Sequence, residues 1–212
     1  AVMYNVLLDP LPEEWNGHRI DPAFQNGIQI MQLMEDDEIT EKEKILLASD
    51  LLFLDPPETI QESIDGIAWF MGGWNTDRPD TGKKNEDPVM DWDMDQWRIY
   101  SAFKKQYGID LNDLGKHCVG YQLEDKKLIP VYEENSLHFW AFMGLLTTLD
   151  DCAFTRIADI RAKKLEGKMD PKEKAFYRQA KKRYEIGKKK AEKETDEDIA
   201  AVEEFRRLAG LR

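Results

Sequence analysis

The segment Leu137–Leu146, which reads LHFWAFMGLL, constrains the fold of this chain more than any other. A helix at a protein surface keeps polar side chains on its solvent-facing side, whereas this segment is apolar around nearly its whole circumference. Other parts of the chain must therefore cover it on several sides. We expect it to be the central helix of a mainly α-helical globular fold, capped by Asn135 or Ser136, with Trp140 and Phe142 largely buried.

The N-terminal region predicts a small β-hairpin followed by a helix. Residues 4–8, YNVLL, and residues 18–20 are both β-prone. The Asn16-Gly17 pair between them suits a tight turn because both residues tolerate positive φ. Asp21-Pro22 has the pattern of a helix N-cap and first helical position, and the helix that it predicts ends near residues 35–38.

Two more helices are expected before residue 74. Thr40 and Glu43 form a capping-box pattern ahead of an apolar run that Asp55-Pro56-Pro57 should stop. In the next helix, the apolar residues that recur at helical spacing predict one buried face; they are Ile60, Ile64, Ile67, Ala68 and Met71. Residues 74–87 are rich in Gly, Asn, Asp and Lys, which is typical of a flexible loop that limited proteolysis cuts first.

The second half of the chain is interpreted as part of the same domain. Asp87-Pro88 is expected to open a helix that ends at Gly108, with an apolar face of Ile99, Tyr100, Phe103 and Tyr107. Residues 119–123 and 128–132 flank a polar turn and predict a second hairpin. Helices are expected over about 154–166 and 171–190. The predicted organisation is a hairpin with helices over 1–73, a loop over 74–87, central and basic helices over 88–190, and a C-terminal helix or tail over 191–212.

Charge is distributed unevenly along the chain. The net charge is -12, but residues 1–100 carry 22 acidic and 7 basic side chains, whereas residues 155–190 carry 14 basic and 5 acidic ones. Such asymmetry favours encounter with a charged partner or head-to-tail self-association. The alternative is that both charged runs are solvated faces.

Motifs for chemistry are weak. Residues Asp91–Asp95 imitate the start of a calcium loop, but Gln96 and Ala102 stand where an EF-hand needs Gly and Glu. The other interpretation is an acidic first helical turn. His117-Cys118 lacks the spacing of a zinc site, and the chain contains no G-x-S-x-G, Walker or G-x-G-x-x-G motif. We therefore expect no metal, no cofactor and no enzymatic activity.

Composition indicates a soluble protein of a reducing compartment. The longest apolar block, Phe139–Leu146, is shorter than the roughly 18 to 20 residues that cross a bilayer, so we expect no membrane partner. Two cysteines, Cys118 and Cys152, are too few for a disulfide framework, and free thiols are expected.

Residues 171–190 predict an amphipathic basic helix. Its candidate partner-binding residues are Phe176, Tyr177, Tyr184, Lys181 and Lys182. A solvated face, docking to an acidic protein surface and nucleic-acid binding are the three interpretations, and the isoelectric point near 4.8 argues against the last. The aromatic residues either anchor a partner or pin the helix to the core.

Two regions carry a resemblance to a known family. They are residues 135–184, with LHFWAFMGLL, FTRIADIRA and EKAFYRQAKKRY, and residues 99–111, IYSAFKKQYGIDL. Their aromatic and basic spacing resembles that of tail assembly chaperones from siphophages and prophages of Gram-positive bacteria, over roughly residues 3–190. Residues 114–134 are longer than the passage that the family pattern has there, so we expect them to be an insertion with its own role.

The resemblance implies a specific function. Proteins of this family are encoded next to the tape measure protein, bind it, keep it soluble and assist assembly of the tail tube around it. This implies the tape measure protein and the tail tube protein as partners, the host bacterial cytoplasm as location, and absence from the mature virion. The alternative function is a nucleic-acid-binding phage regulator that uses the 171–190 helix.

Overall fold

The fold is mainly α-helical, as expected. The computed structural model describes residues 5–74, 88–124, 127–165, 167 and 169–187, and for residues 116–135 it describes the backbone alone. The helices are α1 (Phe24–Met34), α2 (Glu41–Leu52), α3 (Ile60–Gly72), α4 (Trp92–Tyr107), α5 (Phe139–Thr147), α6 (Ala153–Ala162) and α7 (Pro171–Arg183). The strands are β1 (Glu14–Trp15), β2 (His18–Arg19), β3 (Gly115–Glu124) and β4 (Lys127–Asn135).

The predicted N-terminal hairpin exists, but one of its strands lies elsewhere. Asn16 and Gly17 have φ angles of 48° and 85°, so the turn forms where it was expected. However, β2 pairs with β1 and not with YNVLL, whose described part is a turn in which Leu8 donates to the Asn5 carbonyl at 2.9 Å. The reason is packing, because Trp15 in β1 lies against Phe53 with 6.1 Å between ring centroids.

The start of α1 differs from the prediction because tertiary contacts use the backbone groups there. Asp21-Pro22 does not open α1, which has Ala23 as its N-cap. The Pro22 carbonyl instead accepts a hydrogen bond from the Phe139 amide at 2.7 Å, and the Phe24 amide donates to Leu137 at 2.9 Å. These bonds join the entry of α1 to the entry of α5, so both helices begin at a shared junction.

Among the other predicted caps, the capping box of α2 and the C-terminal cap of α4 are confirmed, and the N-terminal cap of α4 is wrong. Thr40 and Glu43 form the predicted capping box of α2, and Gly108 ends α4 in the left-handed conformation with φ 70°. Asp87-Pro88 does not open α4, because Asp91 is its N-cap and accepts from the Met94 amide at 2.7 Å.

The buried face of α3 is also different from the predicted one. Ile67 is buried, but Ile60 and Ala68 are exposed. The residues that face the interior are Ser63, Gly66, Ile67 and Phe70. Small residues are needed on this face because α2 packs closely: a Cβ on Gly66 would lie 2.5 Å from the Phe53 ring. An apolar spacing rule does not detect such a face, because two of its four residues are Ser and Gly.

Helix α5 is at the centre of the core, as predicted. Trp140 and Phe142 are 5% and 1% exposed. The Phe142 ring stacks on Phe24 and Phe103 at centroid distances of 4.8 and 5.0 Å, and the Phe139 ring stacks on Phe70 at 5.2 Å. Aromatic rings from three other helices thus cover α5.

The remaining predictions on architecture have mixed outcomes. β3 and β4 form the predicted second hairpin, with a register shift between Cys118 and Gly120. α6 and α7 end at Ala162 and Arg183, earlier than predicted. Cys152 is a free thiol, and no helix among the described residues has the length and apolarity to span a membrane. The expected 74–87 loop, apart from residue 74, and the expected 191–212 helix or tail lie outside the described residues.

His138 replaces Asn135 and Ser136 as the N-cap of α5, and this predicts a pH dependence of stability. Its Nδ1 accepts from the Trp140 amide at 3.0 Å, and its Nε2 therefore carries the proton donated to the Pro12 carbonyl at 3.0 Å. Burial lowers the pKa of His138, although the Pro12 hydrogen bond and the charge of Glu13 oppose this shift. The folded protein thus favours the neutral ring.

As pH falls, His138 takes up a second ring proton in the unfolded chain before it does so in the folded protein. The stabilisation from its lowered pKa is therefore present above the usual His pKa of about 6.5 and is lost as pH falls through the lower folded value. We expect a His138→Asn variant, which keeps a side-chain cap, to lose less stability between pH 7 and pH 5 than the parent. Urea titrations at both pH values measure this. Equal losses in parent and variant would contradict the assignment.

Candidate partner-binding surfaces

Arg161, in α6, holds the C-terminal end of α7 in place through hydrogen bonds. Its Nη1 donates to Asp95 Oδ2 at 2.5 Å and to the Val89 carbonyl at 3.1 Å, and its Nε donates to the Tyr184 carbonyl at 2.7 Å. Lys181 donates in return to the Arg161 carbonyl at 2.7 Å. The guanidinium therefore joins α6, the first turn of α4, the segment before it and the C-terminal end of α7.

Asp95 is the acidic half of this buried cluster. It is fully buried, and besides Arg161 it binds Arg98 at 2.7 Å and accepts from the Asp91 amide at 3.1 Å. The residues that imitated a calcium loop thus act as a helix cap and a buried ion pair. In the described part of the chain, no three His, Cys, Asp or Glu residues group as metal ligands do.

The candidate residues on α7 do not share one environment. Phe176 is 62% exposed, whereas Tyr177 and Tyr184 are half-buried. Lys182 is exposed, but Lys181 is half-buried and is engaged with the Arg161 carbonyl. Among these candidates, Phe176 and Lys182 are thus the most accessible to a partner.

Phe176 and Tyr177 border an open cleft of about 730 Å³ between α6 and α7. The charged residues that line it are mainly basic, since Lys163 and Lys164 stand beside a single acidic residue, Asp159. The Lys163 ammonium lies 5.3 Å from the centroid of the Tyr177 ring, which is cation–π distance. At one edge Arg156 binds both carboxylate oxygens of Asp151, and that hydrogen bonding lowers the pKa of Asp151.

A second concave surface, the α1–α4 groove, lies between α1, α4 and the segment that follows α4. Its volume is about 450 Å³. The apolar and aromatic residues that line it are Phe24, Ile28, Trp92, Trp97, Ile99, Tyr100, Leu111, Leu114 and Phe142. Trp97 is 69% exposed and meets the Tyr100 ring edge-on at 5.8 Å. Phe24 and Phe142 at the base belong to the core, so the groove is a continuation of that core to the surface.

Side-chain amides fix the two walls of the α1–α4 groove. Gln32 donates to Asp93 Oδ1 at 3.1 Å, which joins the end of α1 to the start of α4. Gln25 donates to the Leu114 carbonyl at 3.3 Å, which joins the start of α1 to the segment after α4. The two helices are therefore antiparallel, and the groove runs along both of them.

The two surfaces differ in charge. Among the described residues that line the α1–α4 groove, Asp93 is the only charged one. Near one end of the groove Asp110 binds Lys104 at 2.6 Å, and that hydrogen bond lowers the pKa of Asp110. The α6–α7 cleft is instead lined by several basic side chains.

Arg161, Asp95 and Trp97 were not predicted as functional residues. Arg161 ends the run FTRIADIR on the same helical face as Phe154 and Ile157, which are buried, and a cation on that face indicates a buried partner. Asp95 was interpreted as part of an acidic helical turn, although it lies one turn after Asp91 on the inner side of α4. Nothing in the sequence pointed to Trp97, because its exposure depends on which face of α4 meets α1.

A protein-family model matches most of this chain. No curated protein and no solved structure matches the chain. A family model described as Bacteriophage Gp15 protein matches residues 7–118 and 123–186, which is well over half of the chain. The expectation of a bacteriophage protein family is thereby confirmed. The chain belongs to the bacteriophage Gp15 protein family.

Proposed function

We propose that this phage protein is a tail assembly chaperone that binds the tape measure protein, keeps it soluble and assists assembly of the tail tube. The observation that carries the proposal is the α1–α4 groove, an aromatic surface continuous with the core and open to solvent. A tape measure protein is long and helical, and its apolar stripe needs a cover until the tube surrounds it. Grooves of this kind bind helices through apolar anchors.

The proposal assigns the protein a binding role without catalysis, in the cytoplasm of the host bacterium and outside the finished virion. Membership of a phage family and the resemblance of residues 99–111 and 135–184 to tail assembly chaperones support it. The basic side of the molecule near α7 would affect the rate of encounter, because exposed charges mainly influence association and buried anchors mainly influence dissociation.

Co-expression with the tape measure protein encoded beside this chain tests the function. We expect the tape measure protein to move from the insoluble to the soluble fraction, and a complex of the two to survive purification in moderate salt. Binding through apolar contacts tolerates moderate salt, whereas binding through contacts with nucleic-acid phosphates weakens steeply as salt rises.

The control is the same co-expression with an unrelated soluble helical protein of similar size. A tape measure protein that is equally soluble with this chain, with the control and alone would refute the proposal. Specific, salt-sensitive retention of DNA or RNA that a Lys182→Glu change abolishes would instead favour the regulator that the basic helix suggested.

A further inference from the structure

We propose that the α1–α4 groove receives the apolar side of a basic amphipathic helix. The inference rests on the proposed function for the identity of the partner, the tape measure protein, and adds the site and the chemistry of the segment bound. Its first basis is the shape of the groove. The span from Gln25 to Gln32 corresponds to about 10 Å at 1.5 Å per residue, or about two helical turns, so the groove fits a few side chains from one face of a helix.

The second basis is an exposed aromatic anchor on the wall of the groove. Trp97 lines the groove and is 69% exposed. Trp is enriched among the residues that contribute most to binding energy. Phe24 and Phe142 form a rigid base below, because both rings are stacked in the core.

The third basis is charge. Helix α1 contains no charged residue, so the wall that it supplies is neutral. The run Glu35–Glu38 follows its C-terminal end, near Asp93. At the opposite end, the charge of Asp110 is offset by Lys104. One end of the groove is thus acidic.

Lys44 lies at the same end of α1, where it donates to the Met34 carbonyl and binds Glu41, and the acidic side chains there still outnumber the basic ones. An apolar centre with an acidic end is complementary to a helix that has Leu or Phe on one face and Lys or Arg beside it, and it repels an acidic helix of the same shape.

The probes are two synthetic helical peptides of about 18 residues, or five turns. They have the same Leu and Phe positions on one face and differ in having Lys or Glu at all other positions. A third peptide has the Lys positions with Ser in place of Leu and Phe. Fluorescence anisotropy with the full-length protein gives each dissociation constant at low and at moderate salt.

We expect the Lys peptide to bind at least about tenfold more tightly than the Glu peptide at low salt, with a smaller ratio at higher salt. Trp97→Ala should weaken binding of the Lys peptide by about tenfold or more. The matched control is Phe176→Ala, which removes an aromatic side chain of similar exposure from the α6–α7 cleft and should change the dissociation constant less than twofold. Asp93→Asn should reduce the salt dependence.

The inference would be overturned if the Lys and Glu peptides had equal dissociation constants, or if the Lys peptide bound equally well with and without its apolar residues. It would also be overturned if Trp97→Ala and Phe176→Ala changed the dissociation constant equally, or if no peptide bound at all. Concentration-dependent self-association that Trp97→Ala abolishes would identify a second copy as the occupant and also overturn it.

Co-expression separates this inference from the proposed function. If Trp97→Ala protein solubilises the tape measure protein as well as the parent does, the function stands and the groove assignment fails. If the peptide results are as expected but the parent never solubilises the tape measure protein, the groove assignment stands and the function fails.

Discussion

An Asp95→Ala variant is expected to lose about 3 to 5 kcal/mol of unfolding free energy, the usual cost of removing one partner of a buried ion pair. The change would leave the guanidinium of Arg161 buried without its carboxylate, since the two side chains are 5% and 0% exposed. It would also remove the acceptor of the Asp91 amide at the start of α4. Urea unfolding followed by circular dichroism measures the loss.

Two further variants sharpen this test. Asp151→Ala breaks an exposed pair with Arg156, and we expect a much smaller loss of unfolding free energy because surface ion pairs contribute little. The double variant Asp95→Leu/Arg161→Met removes both buried charges and should recover part of the stability lost in Asp95→Ala. An Asp95→Ala protein as stable as Asp151→Ala would show that the buried pair does not stabilise the fold.

A Trp140→Ala variant is expected to lose about 3 to 5 kcal/mol, which is typical for removal of a buried aromatic side chain. The indole Nε1 donates to the Phe70 carbonyl at 2.7 Å, and the ring meets Trp69 edge-on at 5.2 Å. Packing is also close at the C-terminal cap of α3, because a Cβ on Gly73 would lie 2.3 Å from the Trp140 ring. The variant would therefore contain both a cavity and an unsatisfied carbonyl.

Trp97→Ala is the matched control for Trp140→Ala, because it removes the same side chain from a largely exposed position. Its effect on stability should stay within about 0.5 kcal/mol, as for most surface substitutions. Thermal melts of the two variants make the comparison. A Trp140→Ala protein that melts together with Trp97→Ala and the parent would mean that α5 is not the centre of the core.

Features that depend on residues close in the chain were predictable. The capping box of Thr40 and Glu43 and the left-handed Gly108 each satisfy a backbone requirement within one helical turn. The burial of Leu137–Leu146 was equally predictable, because no orientation of that helix offers a polar face to water. Such signals are local, and one sequence is enough to detect them.

Features that depend on the pairing of distant segments were not predictable. The Pro22 carbonyl accepts from Phe139 across the fold, which displaced the predicted start of α1. Asp95 and Arg161 are 66 residues apart in sequence, and neither side chain reveals its partner. The α1–α4 groove arises only when two helices take an antiparallel arrangement, so no pattern within either helix predicts it.

The attachment of α7 implies that this helix unfolds separately from the rest of the molecule. Ala180 is its only buried residue, and its other contacts are mainly the polar ones through Arg161 and Lys181 and the cation–π contact of Tyr177 with Lys163. Regions with few buried apolar contacts open at a lower free energy than the core. Amide hydrogen exchange in α7 should therefore be faster than in α5 under native conditions, and a chain that loses this helix transiently would still keep its aromatic core.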